Sequence, residues 1–418
     1  MRSVTTITVL CASIAAAPLA VAAHHDKHHE MEQRVAALEA TLPGASGTRF
    51  SMGGFIKFDA NYSKYSTGAK SATAPIGNDF YVPSTVPVGS NQSGGSGVLN
   101  STAKQSRLWF KAVTPTERGD ISAHVELDFQ TNGEGLTDER IINGDGARIR
   151  HAFVTWDKWL VGQTWSTFFN VSALPETLDF VGAAGTVFSR QAQVRYTRGP
   201  LMVALENPST TLYGGTQHPY DQNDAPDVVA RFNHADDWGN VSLAAMARQL
   251  KYEDVNGRDE EYGYGISLAG KFNVGERNDV RMQLNYGNAL GRYTTLNAFR
   301  AGQIEADGSI DLIDQYSAVL AYRHHLTDTV RSNLVLSVSE ADNPDTVLGT
   351  TNKRVQSAHV NTLRKSSFCS TPACILRART RMNICCALAP STVKTPNVLM
   401  PAIRLDRVTI SGAALLRP

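Results

Sequence analysis

From Phe50 onward the chain repeats one theme: runs of seven to eleven residues in which apolar and polar positions alternate strictly. Alternation of this kind sends successive side chains to opposite faces of an extended strand. In the clearest run Ile121, Ala123, Val125, Leu127 and Phe129 face one way, and Ser122, His124, Glu126, Asp128 and Gln130 the other. Val280, Met282, Leu284 and Tyr286 oppose Arg281, Gln283 and Asn285 in the same manner, and Tyr316, Ala318, Leu320 and Tyr322 oppose Ser317, Ala321 and Arg323. Fourteen such runs are readable, the last near 354–363.

The connectors carry separate information. Short links at 114–120, 157–158, 198–200, 235–239, 273–278 and 324–329 alternate without a break with long ones at 63–104, 131–146, 166–189, 207–225, 250–261, 289–314 and 340–353. That order is expected when all short turns lie on one side of a membrane and all long loops on the other. A soluble β-sandwich would share the two-residue period, but its crossovers would not produce so regular an order of links. The fold predicted is all-β, a transmembrane antiparallel β-barrel over 49–363, with a short helical coiled-coil segment before it.

The stretch from Arg148 to Pro200 holds the densest chemistry. Two alternating runs joined by Asp157 and Lys158 are followed by a loop from Ser166 to Ser189, which carries Pro175, Glu176 and Asp179. A third run, Arg190 to Thr197, follows. One row of the block contains Arg148, Arg150, Gln193 and Arg195; Ile149, Phe153, Val194 and Tyr196 are assigned to the other. Along the whole barrel the polar row carries Lys57, Arg107, Lys111, Arg148, Arg150, Arg195, Arg231, Arg248, Lys271, Arg281, Arg323 and Arg331. Five acids face them: Asp59, Glu126, Asp128, Glu206 and Asp227. No Lys, Arg, Asp or Glu is expected on the apolar rows, where a charge at mid-bilayer costs about 2–4 kcal/mol. A cation excess in a narrow channel of low dielectric concentrates anions. The lumen or constriction is therefore expected to use Arg107, Lys111, Arg148, Arg150, Arg190, Arg195, Arg231, Arg281 and Arg323, with Glu176, Asp179 and Asp128, and the long loop is expected to fold inward. The competing view of these cations is that some only neutralise acids of the folded-in loop.

The ends differ from the body. Residues 1–23 read as a cleaved export signal: Arg2, an Ala/Val/Leu core, then the small-residue pattern Ala20-Val21-Ala22-Ala23. No later segment approaches the roughly twenty apolar residues of a membrane helix. Residues 24–48 form a His-rich linker and a short seam of Met31, Val35, Leu38 and Leu42, ended by Pro43 and Gly44. One and a half heptads are too few for a stable isolated helix, so the seam is expected to form only between chains already held together, with a frayed tether as the alternative. His24, His25, His28 and His29 are a weak candidate metal site beside the plainer reading of a solvated linker. No cofactor is expected. A formal charge of +1 carries no sign of nucleic acid, and none is expected as a partner.

Cysteine divides the chain. Of five, Cys11 lies in the signal and Cys369, Cys374, Cys385 and Cys386 crowd into the last fifty residues, so no disulfide framework holds the body. From about Thr362 the alternation is expected to stop. The final 57 residues contain one aromatic (Phe368), one acid (Asp406) and nine Lys or Arg. Residues 364–418 therefore read as an aberrant, frameshifted tail, with a genuine cysteine-rich tail as the alternative. On that reading two strands are lost, and two edges are left open in hydrocarbon, where each unsatisfied backbone group costs several kcal/mol. Such a chain would be non-functional.

Several segments carry a resemblance to a known family. They are Gly53-Gly54-Phe55-Ile56-Lys57-Phe58-Asp59, Arg148-Ile149-Arg150-His151-Ala152-Phe153 and Gly162-Gln163-Thr164-Trp165-Ser166. With them come Pro175-Glu176-Thr177-Leu178-Asp179-Phe180, Arg190 to Tyr196 and Leu205-Glu206-Asn207-Pro208. Together these resemble the DcaP-like family of trimeric outer-membrane porins of Gram-negative bacteria, over roughly residues 30 to 361 and most specifically 148–208. The resemblance implies sixteen strands, a homotrimer, an N-terminal coiled coil in the periplasm, and small anionic solutes such as dicarboxylates. Outer-membrane lipid and the barrel-assembly machinery are the partners such a chain would meet. A structural or adhesive outer-membrane protein, tethering the envelope through the Met31–Leu42 helix, is the alternative function. An enzyme is disfavoured: Ser122, His124 and Asp128 share a strand face, but nothing resembles a nucleophile elbow.

Overall fold

The computed structural model describes residues 47–65, 76–86, 97–131, 142, 144–216, 220–255, 257–347, 351–365, 377–388 and 407–416. For 377–388 and 407–416 the description is of backbone course and register. The signal, the histidine cluster and the helical seam lie outside the described residues.

Among the described residues there are twenty strands. The first eight are β1 (Arg49–Ser63), β2 (Val98–Thr102), β3 (Arg107–Thr114), β4 (Ile121–Asp128), β5 (Arg148–Trp156), β6 (Trp159–Trp165), β7 (Arg190–Arg198) and β8 (Leu201–Glu206). After the short β9 (Leu212–Tyr213) come β10 (Asp227–Asp236), β11 (Gly239–Asp254), β12 (Gly257–Val274) and β13 (Asn278–Gly287). Two more short pieces, β14 (Gly302–Ile304) and β15 (Ile310–Leu312), precede β16 (Gln315–His325), β17 (Val330–Ala341), β18 (Arg354–Lys365), β19 (Arg377–Leu388) and β20 (Arg407–Leu416). Seventeen of them form one sheet, and β9, β14 and β15 form a separate small one. Both β2 and β3 pair with β1 and follow one another along a single stave, so the seventeen strands make sixteen staves. Antiparallel pairing of β20 with β1, from Gly54↔Leu416 to Ser63↔Arg407, closes the ring. Closure matters because a barrel has no edge, and so leaves no row of unpaired backbone groups in hydrocarbon.

The faces invert the pattern of a water-soluble protein. Outward positions are apolar yet open: Ile56, Phe58 and Leu320 are each more than half exposed. Inward positions are polar yet buried, as at Asp59, Gln283 and Asn361. An apolar exterior band around a polar interior is the arrangement a lipid-embedded barrel requires.

Three expectations are corrected. The first concerns Phe153. Between β4 and β5 the register shifts: Leu127 pairs with Ile149 but Glu126 pairs with His151, which leaves Arg150 as an extra residue. A one-residue bulge reverses the rows beyond it. Arg150 and His151 are consequently both buried, and Phe153 moves to the inner face beside His124, with ring centroids 5.4 Å apart.

The second concerns the outer face, which is not free of charge. Glu340 and Arg354 both lie on it, paired at 3.0 Å, and the Tyr316 hydroxyl donates to the same carboxylate at 2.6 Å. All three sit at strand ends next to long loops, at the rim, where the mid-bilayer cost does not apply.

The third concerns the tail, where the two missing strands are present in the backbone. Register places Ala378, Thr380, Met382, Ile384, Cys386 and Leu388 in the outer row of β19, and Arg377, Arg379, Arg381 and Asn383 in the inner row. In β20 Val408, Ile410, Gly412, Ala414 and Leu416 share the outer row of Phe58, while Arg407, Thr409 and Ser411 share the inner row of Asp59. The alternation therefore resumes after residue 376 but fails toward one end of each strand, where Cys385, Ala387, Ala413 and Leu415 take inner-row positions. It is carried by small and sulfur-bearing residues rather than by aromatics. The expected open edges, and the loss of function argued from them, do not follow.

Candidate functional site

Three segments from the long-loop end of the barrel enter its interior. The largest is 166–189. Its entry turn is local: Asn170 accepts from Ser172 N, and Pro175 ends a short 3-10 turn at Val171–Ala173. Beyond it the loop touches the inner faces of strands on the far side. Asn170 Nδ2 donates to Ser242 Oγ on β11 (2.9 Å), Val187 N to Gln283 Oε1 on β13 (3.2 Å), and Ala184 N to Ser357 Oγ on β18 (3.2 Å). Gly185, at φ +76°, lies so close to the wall that a Cβ would stand 2.8 Å from Ser317 Cβ and 2.9 Å from the Val338 carbonyl oxygen. Only glycine combines that dihedral with that approach.

Glu176 and Asp179, expected to line the passage, act as anchors. Glu176 accepts both ends of the Arg331 guanidinium and lies 3.6 Å from Arg323. Asp179 Oδ1 accepts from Tyr81 N at 2.8 Å. Arg281 pairs with Asp279 at 2.8 Å and donates to the Leu174 carbonyl, while Arg323 pairs with Asp279 as well. Arg323 and Arg331 thus pair with an acid of the inward loop, whereas the acid paired with Arg281 belongs to the wall strand β13.

The second segment, 76–86, was not anticipated. It brings Phe80 to within 5.0 Å of Phe180, and Asp79 accepts from Gln130 Nε2 (2.7 Å) and Asn100 Nδ2 (3.0 Å). The third, 288–314, was also missed, although its length and its Leu290, Tyr293 and Phe299 repeat the signal of the first loop. All three of those side chains are buried. The Tyr293 hydroxyl donates to Asp227 Oδ2 at 2.8 Å, and Arg248 and Arg292 each approach the same oxygen at 3.1 Å. Thr295, Leu296 and Asn297 follow in left-handed conformation at φ 52°, 54° and 57°. For Thr295 and Leu296 this costs about 1–2 kcal/mol each, whereas asparagine tolerates it better.

Where the first loop meets β3, β4, β5 and β7, four guanidiniums gather. Arg148 grips Asp128 at two points, 2.9 and 2.8 Å. Arg150 reaches Glu126 at 2.7 Å and Asp128 at 2.9 Å, and Arg107 stands 3.6 Å from Glu126. The Phe180 ring lies 5.7 Å from the Arg148 guanidinium carbon and 5.4 Å from that of Arg150. Arg190 is different. It lies over the Trp165 ring at 4.6 Å and near Phe188 at 5.7 Å, and has no carboxylate partner among the described residues. Four cations thus face two carboxylates, an excess of two positive charges.

The other expected cations lie apart from this group. Arg231 donates to the Phe169 carbonyl. Neither it nor Arg195 has an ion-pair partner among the described residues. Lys111 is exposed. Next to the arginines an aromatic track runs down the wall from Trp165 through His151, Phe153 and His124 to Trp109, with successive ring centroids 5.4 to 6.4 Å apart. The track depends on the β5 bulge, and no sequence signal marked it.

Comparison with known proteins bears on the family and the fold. The profile described as DcaP outer membrane protein matches residues 19–366. No curated protein sequence matches. Among solved structures, the outer membrane channel DcaP of Acinetobacter baumannii is similar at 22% identity and a TM-score of 0.69, covering 89% of this chain and 98% of that one. OmpF of Salmonella typhi, in complex with daunomycin, is similar at 7% identity and TM-score 0.50, covering 88% and 98%. An anion-selective porin from Comamonas acidovorans reaches 10% identity and TM-score 0.47, covering 88% and 98%. At these identities the likeness is one of fold.

Proposed function

The chain belongs to the DcaP outer membrane protein family, and from that premise we propose that this porin of the Gram-negative outer membrane admits small anionic solutes, dicarboxylates among them, past the arginine cluster of β3, β5 and β7. The observation that carries the reading is the uncompensated charge. Arg107, Arg148, Arg150 and Arg190 outnumber Glu126 and Asp128 by two, and Arg190 has no carboxylate partner among the described residues. An anion arriving there gains Coulomb energy, whereas a cation of equal size meets repulsion in a confined space of reduced dielectric. Asp128 and Glu126 hold Arg148 and Arg150 flat against the wall, and Phe180 covers the same guanidiniums from the loop side. Arg190 supplies the free donors, Arg195 and Arg231 add positive charge toward the short-turn end, and Glu176 and Asp179 keep the loop in place.

The test is a reversal-potential measurement on the purified protein in a planar bilayer under a salt gradient, with uptake of a dicarboxylate compared with a neutral solute of equal size. Anion preference in both supports the reading. A cation-selective pore, or equal uptake of the two solutes, overturns it.

The same reading includes a homotrimer, with the Met31–Leu42 seam joining three chains on the periplasmic side, and insertion by the barrel-assembly machinery. For residues 364–418 we propose an out-of-frame continuation of the family sequence: the family match ends at 366, and all four cysteines outside the signal lie beyond it. The resumed alternation of β19 and β20 lets this substitute segment complete the ring.

A further inference from the structure

We infer that the left-handed turn Thr295–Leu296–Asn297 is a positioning device for the constriction, holding Phe180 over Arg148 and Arg150 and so setting both pore width and ion preference. The inference rests on the channel reading above and concerns a segment, the β13–β16 connector, remote in sequence from every arginine of the cluster.

Two observations carry it. Three consecutive residues with side chains adopt φ between 52° and 57°, where glycine would be free of strain. A chain reversal alone would not need those side chains, and two of them reach the first loop. Thr295 Oγ1 accepts from Gly185 N at 3.2 Å and donates to Ser339 Oγ at 2.8 Å, which ties loop and wall together. Leu296 packs against the buried cluster Phe80, Val82 and Val181, against which Phe180 and Phe188 also pack. The backbone reinforces the join, because Phe188 N donates to the Tyr293 carbonyl at 3.0 Å and Thr295 N to the Thr186 carbonyl at 3.3 Å.

The cluster is also the back wall of the charged site. Phe180 faces Arg148 and Arg150, and Phe188 faces Arg190 at 5.7 Å. Leu296 therefore shares one buried core, Phe80, Val82 and Val181, with both aromatic rings that contact the guanidiniums. Removing it loosens the core on which Phe180 rests, since packed interiors transmit such a loss to their neighbours. Phe180 then leaves Arg148 and Arg150 less confined.

The experiment compares Leu296→Gly with Asn297→Gly in planar bilayers. Both relieve left-handed strain, but only the first empties the cluster. Leu296→Gly is expected to raise single-channel conductance and open-channel noise and to lower the anion-to-cation permeability ratio. Asn297→Gly is expected to match the wild type in all three. Should Leu296→Gly not assemble, Thr295→Val reads the same quantities, because it deletes the hydroxyl that joins Gly185 to Ser339 while keeping the shape. A conducting wild type with a Leu296→Gly variant indistinguishable from it overturns the inference alone. A wild type that never conducts overturns the channel reading and this inference with it.

Discussion

Replacing Arg190 by Gln tests the charge argument most directly. The residue contributes one of two uncompensated positive charges in the cluster, and its loss strips no carboxylate of a partner. A unit charge about 5 Å from a passing ion contributes about 0.8 kcal/mol at the dielectric of water. Screening at about 0.1 M salt, with a Debye length of about 10 Å, reduces this to about 0.5 kcal/mol. Anion and cation feel the change with opposite signs, so the permeability ratio should fall about 5-fold, and about 15-fold if screening within the pore is ineffective. The lost cation–π contact with Trp165 costs about 0.5–2 kcal/mol, which a closed barrel tolerates. The assay is the reversal potential in a tenfold KCl gradient, with uptake of a neutral solute as the steric control. A ratio within about twofold of wild type would contradict the Coulomb estimate and refute the reasoning. Changing Arg148 and Arg150 together is a poorer probe than it looks from the sequence. Asp128, whose side chain is fully buried, would lose both of its guanidinium partners. Leaving such a carboxylate unpaired costs about 3–5 kcal/mol, or forces it to take up a proton that restores one of the two charges just removed.

Three further outcomes are expected. Deleting residues 177–186 from the inward loop should raise single-channel conductance, because that segment crosses the lumen to β18; an unchanged conductance would mean that ions pass elsewhere. Leu320→Arg, on the outer face of β16, should lower the folded fraction seen as the heat-modifiable band on a gel, since a mid-bilayer arginine costs about 2–4 kcal/mol. Full folding of that variant would contradict the assignment of faces. Translating the other two frames beyond the codon for Asn361 should yield two alternating strands ending in Phe or Trp; if neither frame does, 364–418 is the protein's own closing segment.

Much of the barrel was legible because strand alternation is a local property with a period of two residues. Ile121 to Gln130 announces its two faces without reference to any partner, and the order of short and long links follows from the chain alone. The readable alternation failed in two places for physical reasons. At Arg150 a single extra residue reverses the rows, and such a bulge is defined only by the strand opposite. In β19 the alternation of Arg377, Arg379 and Arg381 with Ala378, Thr380 and Met382 was present in the sequence but hidden by a composition unlike the body's.

The site was less legible than the frame. Residue types marked a basic lumen, but they could not separate Arg331, spent on Glu176 across 155 positions of sequence, from Arg190, which has no carboxylate partner among the described residues. Nor could they bring Leu296 to the core that Phe180 also packs against, or Tyr293 to Asp227. Those pairings exist only because closing the ring brings distant strands and their long loops into one confined interior. Outside the β5 bulge and the closing strands, the sequence by itself determined which residues face inward; the tertiary structure decided which of them are left with charge to offer a solute.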